Sequence, residues 1–315
     1  MKTERRALIA QQLSKVLPPI VAQRTRTLIY PLALARKSRI DFIKKSITGS
    51  YLKCNTIEFH AYNFYIHGYN DWRNVIIANS VSKYTKGDFI EIGANVGTET
   101  VSFCDIVNGY GKVHAFEPLP SNIKYLKKLS ETQNSLNIFE YALSNKDGEV
   151  RFWVPPEQRS GAAKILPVNI DIDKNAIVVK TKKLDDFLGE FNNVNFISID
   201  TEGHEPFVLK GGKNTLIKHN PIVVLEVSPK LLVKYANLKP KFIKDFFEDL
   251  NYNLFKIEKI SISKITQNDL LTDKSHNWVC IPKNQKKIEN QIKRDLMIRS
   301  LIPWFLLKKI PNASL

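Results

Sequence analysis

From Asp88 onward the chain repeats one unit: an apolar strand-like run, a tight turn, then an amphipathic helix-like run. "FIEIG" leads into "TETVSFCDIV", "KVHAFEP" into "SNIKYLKKLSET", and "NVNFISID" into "EPFVLKGGKNTLIKH". Strands alternating with helices of about 10–15 residues predict a largely parallel sheet covered on both faces. "LNIFEYALS" and "PIVVLEVS" add strands, while "EVRFWVP" and "AIVVKTKKL" have the alternation and β-branching of an antiparallel pair. "NLFKIEK" with "NWVCIPK" predicts a closing antiparallel hairpin, a common edge addition to such sheets. Before Asp88, residues 4–17 predict an amphipathic helix with Ile9, Leu13 and Leu17 on one stripe, stopped by Pro18-Pro19. "NTIEFH" and "NFYIHG" read as a short hairpin ahead of a helix from Trp72 to Tyr84.

In a doubly wound sheet, ligands sit beyond the carboxyl ends of the strands. Three chemistry-bearing stretches fall at such ends: Glu91 to Gly97, Phe116-Glu117-Pro118, and Asp200 to Glu205. In the first, Gly93 and Gly97 free the backbone for a tight turn, and the helix behind offers N–H groups to an anion. Dinucleotide sites use G-x-G-x-x-G, but position 95 is Asn, which hinders close approach by a pyrophosphate. No Gly-Lys-Ser/Thr follows, so a Walker-type phosphate loop is excluded. A tight strand–helix turn without a ligand is the alternative. Glu117 lies 24 residues after Gly93, where a carboxylate can accept from both hydroxyls of a ribose. A ribose diol without a pyrophosphate is met by S-adenosylmethionine, and Glu91 is placed to favour its ammonium or sulfonium charge.

The third stretch, "SIDTEGHEPFVLKGG", brings Asp200, Glu202 and His204 together at one strand end. A histidine beside carboxylates suits general-base work on a hydroxyl. The same three side chains could ligate a divalent cation, although no metal is the expectation adopted. Glu202 or Glu205 could instead cap the helix that begins at Pro206.

"DFIEIGANVGTET", "VHAFEPLPSNIKYLKKL", "EYALSNKDGEVRFWV", "KKLDDFL" and "NFISIDTEGHEPFVLKGG" occur in the order and spacing of the FkbM-type methyltransferase family, which this chain resembles from about Gly87 to Pro229. The resemblance implies an α/β, Rossmann-like class I methyltransferase fold, a mostly parallel seven-stranded sheet with a terminal antiparallel hairpin. It also implies S-adenosylmethionine-dependent methyl transfer to a hydroxyl, of a sugar, glycan or secondary metabolite. Carried over, Gly93, Asn95 and Gly97 would line the methionine moiety, Glu117 the ribose, and Ala142 and Leu143 the adenine. Asp200 to Glu205 would face the transferred methyl. From the chemistry of these side chains, His204 or Asp200 is expected to take the hydroxyl proton, with Glu202 orienting its neighbours. Thr201 stands where the family often has valine. A catalytically inactive binding or scaffold protein that keeps the fold is the alternative function. The expected organisation is a basic N-terminal extension (1–85), a methyltransferase domain (86–283) and a basic tail (284–315). The loop "PPEQRSGAAKILP" after Trp153 is a candidate substrate lid.

The net charge of +16 is carried by the two ends. Residues 1–53 hold twelve Lys/Arg against Glu4 and Asp41, and residues 283–315 hold eight against Glu289 and Asp295, which leaves 27 of each sign between them. Basic, amphipathic ends point to an anionic membrane surface, with Ile288, Ile292 and Leu296 as one apolar stripe and "SLIPWFLLKKIP" after it. Packing on the core or in a homodimer is the competing use; nucleic acid is not expected, because the middle is neutral and lacks a basic aromatic platform. Cys54, Cys104 and Cys280 form no disulfide or zinc pattern, so a reducing, cytoplasmic setting is expected, with the membrane periphery as its variant. Gln11 and Gln12 interrupt the N-terminal apolar run, so no signal peptide is expected, and the sequon at Asn312 would go unused.

Overall fold

A computed structural model describes residues 3–154, 164–165, 176–307 and 310. Helices α1 (Thr3–Val16), α2 (Pro19–Ile29) and α3 (Leu32–Ser38) come first, the second opened by Pro19 and the third directly after Pro31. A hairpin of β1 (Asp41–Lys45) and β2 (Tyr51–Asn55) leads into α4 (Phe59–His67) and α5 (Trp72–Ser82). The alternating units follow as β3 (Asp88–Ile92), α6 (Thr100–Val107), β4 (Val113–Phe116), α7 (Pro120–Ser130) and β5 (Leu136–Phe139). Next come β6 (Ala142–Leu143), β7 (Gly148–Trp153), β8 (Lys164–Ile165) and β9 (Ala176–Lys182). The chain then forms β10 (Val194–Ile199), α8 (Glu205–Gly211), α9 (Lys213–His219), β11 (Ile222–Val227), the short α10 (Pro229–Leu231) and α11 (Pro240–Asp249). It ends with β12 (Tyr252–Ile257), β13 (Ile262–Lys264), α12 (Gln267–Leu271), β14 (His276–Pro282) and α13 (Lys286–Leu301).

The main sheet has the order β13-β12-β14-β11-β10-β3-β4-β5. Its five strands from β11 to β5 are parallel. β14 runs antiparallel between β11 and β12 and completes the expected hairpin; the three-residue β13 folds back on β12 as an eighth, edge strand. Every residue of β3, β4 and β10 is buried, as helix-covered parallel strands require. The predicted pair "EVRFWVP"/"AIVVKTKKL" is β7 against β9, in a separate four-stranded sheet with β6 and β8.

One predicted element is corrected. "NTIEFH" and "NFYIHG" do not form a hairpin, because residues 59–67 are the helix α4, and the hairpin lies just upstream as β1 and β2. α4 is wedged between two apolar clusters. Ala61 and Phe64, three apart, enter the main core, while Tyr62 and Ile66, four apart, join Ala7, Ala10 and Tyr30 in a satellite cluster. Burying two faces masks the helical period and leaves a pattern that imitates strand alternation. The predicted helix across "EPFVLKGGKNTLIKH" divides into α8 and α9 at Gly212.

Parts of both basic flanks are built into the core. One cluster joins Phe42, Leu52 and Trp72 to Phe89 and Phe196 of the sheet and to Ile288, Ile292 and Leu296 of α13. The α13 stripe predicted to meet a membrane is therefore buried inside the protein, with α13 packed on α5. Among the described residues no helix is long and apolar enough to cross a membrane. Cys54, Cys104 and Cys280 are buried and unpaired. The candidate lid and the sequon at Asn312 lie outside the described residues, apart from the two-residue strand β8.

Candidate active site

The order of connection reverses at β3: the chain runs outward to β4 and β5, then returns to β10 on the other side. Such a switch point opens a crevice beyond the strand ends. Ile199 pairs with Ile92 across it, so Gly93 and Asp200 leave their strands side by side. Asp200 N donates to the Ile92 carbonyl at 3.0 Å. A Cβ on Gly93 would lie 2.0 Å from the Asp200 carbonyl oxygen, and Gly93 has φ +84°. Only glycine meets both conditions. Its effect is to admit Asp200 to the crevice.

The turn after β3 spends its donors internally. Gly93 N and Ala94 N both donate to the Phe116 carbonyl, at 3.0 and 3.2 Å. Asn95, in the left-handed region at φ +51°, donates its N–H to Glu117 Oε2 at 2.8 Å. None of these three N–H groups is open to a phosphate. Gly97 is a packing glycine, since a Cβ there would press Leu126 of α7 at 3.1 Å.

Glu117 follows β4 and lines a cleft whose apolar walls include Ile92, Phe116, Leu119 and Phe152 together with the predicted Ala142 and Leu143. Its Oε1 accepts from Leu119 N at 2.9 Å and Asn122 Nδ2 at 3.2 Å. Among the described residues Oε2 accepts only from Asn95 N, and it keeps capacity for a further donor. Burial pushes this carboxyl up to about 7, against the opposing hydrogen bonds.

A second, polar chamber adjoins the cleft and shares His60, Ile92, Gly93, Asn95 and Asp200 with it. Its walls include Asn63, Asn70, Asp71 and Asn74 from α4, α5 and their connection, Glu91, Glu99 and Glu226 from the sheet side, and Asn277 of β14. Glu91 is buried, accepts from Thr100 Oγ1 at 2.6 Å, and is held well above the usual carboxylate range by burial and then by Glu99. Asp200 has surface open to this space, yet the surrounding protein desolvates it enough to raise its pKa; the His60 imidazole opposes that rise, and Glu99 and Asp71 add to it. His60 is one of the site residues that the sequence did not single out, with Asn63, Asn70, Asn74, Glu226 and Asn277. Its Nδ1 lies 3.2 Å from Asn95 Nδ2, and both His60 and Asn95 face both cavities.

The three predicted catalytic side chains part company. Glu202 sits at φ +54°, a strained setting for a non-glycine residue. One oxygen each from Asp200, Glu202 and Glu226 lie within 4.8 Å of one another, the spacing of a candidate cation site. His204 lines the cleft rather than the chamber, with Nε2 3.0 Å from Ser144 Oγ and burial lowering its pKa to about 4. Glu205 is a staple for the loop. Its Oε1 accepts from Thr201 N, Thr201 Oγ1 and Gly203 N at 3.0 to 3.2 Å.

S-adenosylmethionine fits these residues. Glu91, Glu117, Asp200 and Glu99 form a crowded negative field that a sulfonium and an ammonium would relieve. The open valence of Glu117 Oε2 suits a ribose hydroxyl, and the apolar cleft walls suit a flat adenine. A dinucleotide would bring phosphates into that field and find the turn's donors spent.

The profile of the Methyltransferase FkbM domain family matches residues 91–254, just over half of the chain. The hexuronic acid methyltransferase AglP of Haloferax volcanii is 30% identical over 150 residues, covering 46% of this chain and 59% of that protein. The 2-O-methyltransferase NoeI of Sinorhizobium fredii is 28% identical over 145 residues, covering 41% of this chain and 58% of that protein. The chain thus spans under two thirds of the length of these curated relatives. Among solved structures, a methyltransferase FkbM from Methylobacillus flagellatus aligns at 12% identity with a TM-score of 0.40, over 87% of this chain and 59% of that one. The matched segment contains both the turn after Ile92 and the loop from Asp200 to Glu205, and the chain belongs to the FkbM methyltransferase family.

Proposed function

We propose that the chain transfers a methyl group from S-adenosylmethionine to a hydroxyl of a sugar-like acceptor, with Asp200 as the general base. The observation that carries this reading is the meeting of an apolar cleft and a polar chamber at one carboxylate, Asp200. The names of the two relatives, a hexuronic acid methyltransferase and a 2-O-methyltransferase, support a sugar hydroxyl as the class of acceptor. Bound S-adenosylmethionine supplies an electrophilic methyl on sulfur. The protein's part is mainly alignment, holding the reacting atoms about 3–3.5 Å apart and in line. Gly93 sets Asp200 at the boundary of the two cavities, and a raised carboxyl pKa makes it a better proton acceptor for a hydroxyl at neutral pH. In this reading His204 is a wall of the cofactor cleft, because its Nε2 is spent on Ser144 and its basicity is low.

Transfer of labelled methyl to simple glycosides tests the activity, and Asp200→Asn with S-adenosylhomocysteine binding retained tests the base. A chain that gave no heat of binding with S-adenosylhomocysteine would instead be an inactive member that keeps the fold. For the basic ends, the exposed Phe305 and Leu306 beside α13 support docking on an anionic membrane surface. Flotation with anionic vesicles should then succeed at low salt and fail at high salt; failure at both removes the idea.

A further inference from the structure

The polar chamber joins residues that precede position 91, where the segment shared with the family begins, to residues of that segment itself. Its amide side chains are ordered by a chain of hydrogen bonds that starts at α2. Arg26 Nη1 donates to Asn63 Oδ1, Asn63 Nδ2 to Asn70 Oδ1 at 2.8 Å, and Asn70 Nδ2 to Glu99 Oε1 at 3.0 Å. On the opposite wall Asn277 Nδ2 donates to Asp71 Oδ2 at 3.0 Å. Each of these wall amides therefore commits donor capacity to another wall group. Such a fully connected set is rigid and presents a fixed pattern to whatever enters.

What the wall leaves unspent is acceptor capacity. Asn74 keeps a buried Oδ1 with no hydrogen-bond partner. Among the described residues nothing donates a hydrogen bond to the Asp200 carboxylate, and Glu91 accepts only from Thr100. An orphaned buried acceptor is costly unless a ligand or water supplies a donor. Charge points the same way. The lining carries the carboxylates of Asp71, Glu99, Asp200 and Glu226, beside the Glu91 carboxyl that burial favours in its neutral form, and its one fixed cation among the described residues is Arg73. Arg73 is already committed, with Nε and Nη2 donating to the carbonyls of Glu258 and Lys259 at 3.1 Å and its guanidinium over the Trp72 ring. A neutral sugar ring brings hydroxyl donors, and an amino sugar adds an ammonium. A carboxylate-bearing sugar would set one more anion among these carboxylates with no uncommitted cation to receive it.

We propose that this chamber is the acceptor subsite and that it selects a neutral or amino-bearing sugar ring over one that carries a carboxylate. The inference rests on the methyl-transfer reading of the same site and adds the class of acceptor. Selection is then exercised jointly by Asp71 and the amide wall before position 91 and by Glu99, Asp200 and Glu226 inside the shared segment.

The test titrates three probes, a methyl hexopyranoside, its 2-amino-2-deoxy counterpart and the corresponding methyl hexopyranosiduronate, into the full chain saturated with S-adenosylhomocysteine, followed by ligand-observed NMR. The uronate is expected to bind at least tenfold more weakly than the neutral probe, and the amino probe at least as tightly as the neutral one. Glu226→Gln should narrow the gap between neutral and uronate probes at least threefold. Asn74→Leu, which removes the orphaned acceptor at similar volume, should weaken the neutral probe about three- to tenfold and leave S-adenosylhomocysteine affinity within about twofold. A uronate that binds as well as the neutral probe, or no binding by any of the three, overturns the proposal. Absence of heat with S-adenosylhomocysteine alone would defeat the methyl-transfer reading itself, whereas such heat followed by a preference for the uronate defeats only the chamber's assignment.

Discussion

The cleft and the chamber share a wall at Asp200 but are made in different ways. The cleft is assembled from the ends of neighbouring strands, β3, β4 and β10, with β6 and β7 covering it, all inside the segment that matches the family. The chamber adds to sheet-side groups of that segment, Glu91, Glu99, Asp200 and Glu226, a wall of side chains from α4, α5 and β14, which lie on either side of it. Strand ends are fixed by the sheet and tolerate little drift, while helices packed over the sheet can carry different side chains without disturbing it. On the proposed reading, the constant half of the reaction sits on the sheet and the variable half on its cover.

The largest expected effect falls where the halves meet. Asp200→Asn should lower kcat by about 10²- to 10⁴-fold while S-adenosylhomocysteine affinity, read by calorimetry, changes by less than about threefold. His204→Ala is the contrast: because the ring is spent on Ser144 and is a weak base, the pH profile of kcat should keep its shape. If instead Asp200→Asn keeps turnover within tenfold and His204→Ala flattens the profile, the base belongs to the cleft and the comparison fails.

Next comes the glycine that joins the two. Gly93→Ala places a methyl 2.0 Å from the Asp200 carbonyl at a positive φ, so denaturant titration should find a loss of about 2–4 kcal/mol. Gly49→Ala is the control, with φ +133° but nothing within 4 Å of its Cβ, and should lose no more than about 1–2 kcal/mol. Equal losses would mean that backbone strain, not the approach of Asp200, is what Gly93 relieves.

The cleft was largely legible from sequence and the chamber was not, for a physical reason. Gly93, Glu117, Ala142, Leu143 and Asp200 stand at or beside strand ends, and strands announce themselves by apolar runs closed by turn residues, so their ends can be located along the chain. His60, Asn63 and Asn74 lie on helices, and whether a polar helical residue faces solvent or a cavity depends on which neighbour covers it. α4 was harder still, because it buries two faces and so lost the period that marks a helix. The same ambiguity affected the ends of the chain. Ile288, Ile292 and Leu296 form an apolar stripe that a membrane or a core could equally cover, and α5 covers it.

Glu117 sharpens the comparison through pH. Because its folded-state carboxyl titrates at about 7, S-adenosylhomocysteine binding should weaken as pH falls through 7, by up to about tenfold per unit. The ionised form accepts a ribose hydroxyl and the protonated form does so less well. Stability without ligand runs the other way. The folded state holds a proton that the unfolded state releases near 4.5, so this contribution is present at low pH and is lost as pH rises toward 7. Glu205, also pushed up to about 7 by burial, adds in the same direction. Glu117→Gln should therefore abolish the pH dependence of binding but give little net gain in stability at pH 8, because one end of the amide is an NH2 that cannot accept from the N–H groups now bonded to both carboxylate oxygens. A binding constant flat from pH 6 to 8 in the unmodified chain would remove Glu117 from the ribose.

The smallest expected effect is that of a chelator, and it bears on what Asp200 is for. Asp200, Glu202 and Glu226 are close enough to hold a cation, but a metal there would draw on the same carboxylate electrons that the proposed base uses to take a proton. His204, which would have added a nitrogen ligand, is turned toward Ser144. Dialysis against EDTA should then leave methyl transfer within about twofold of the untreated chain, since the base needs no metal. A tenfold loss restored by magnesium, and absent in Glu226→Gln, would reassign Asp200 from proton acceptor to ligand. It would also move the acceptor hydroxyl onto the metal, so that the cleft and chamber met at an ion instead of a carboxylate.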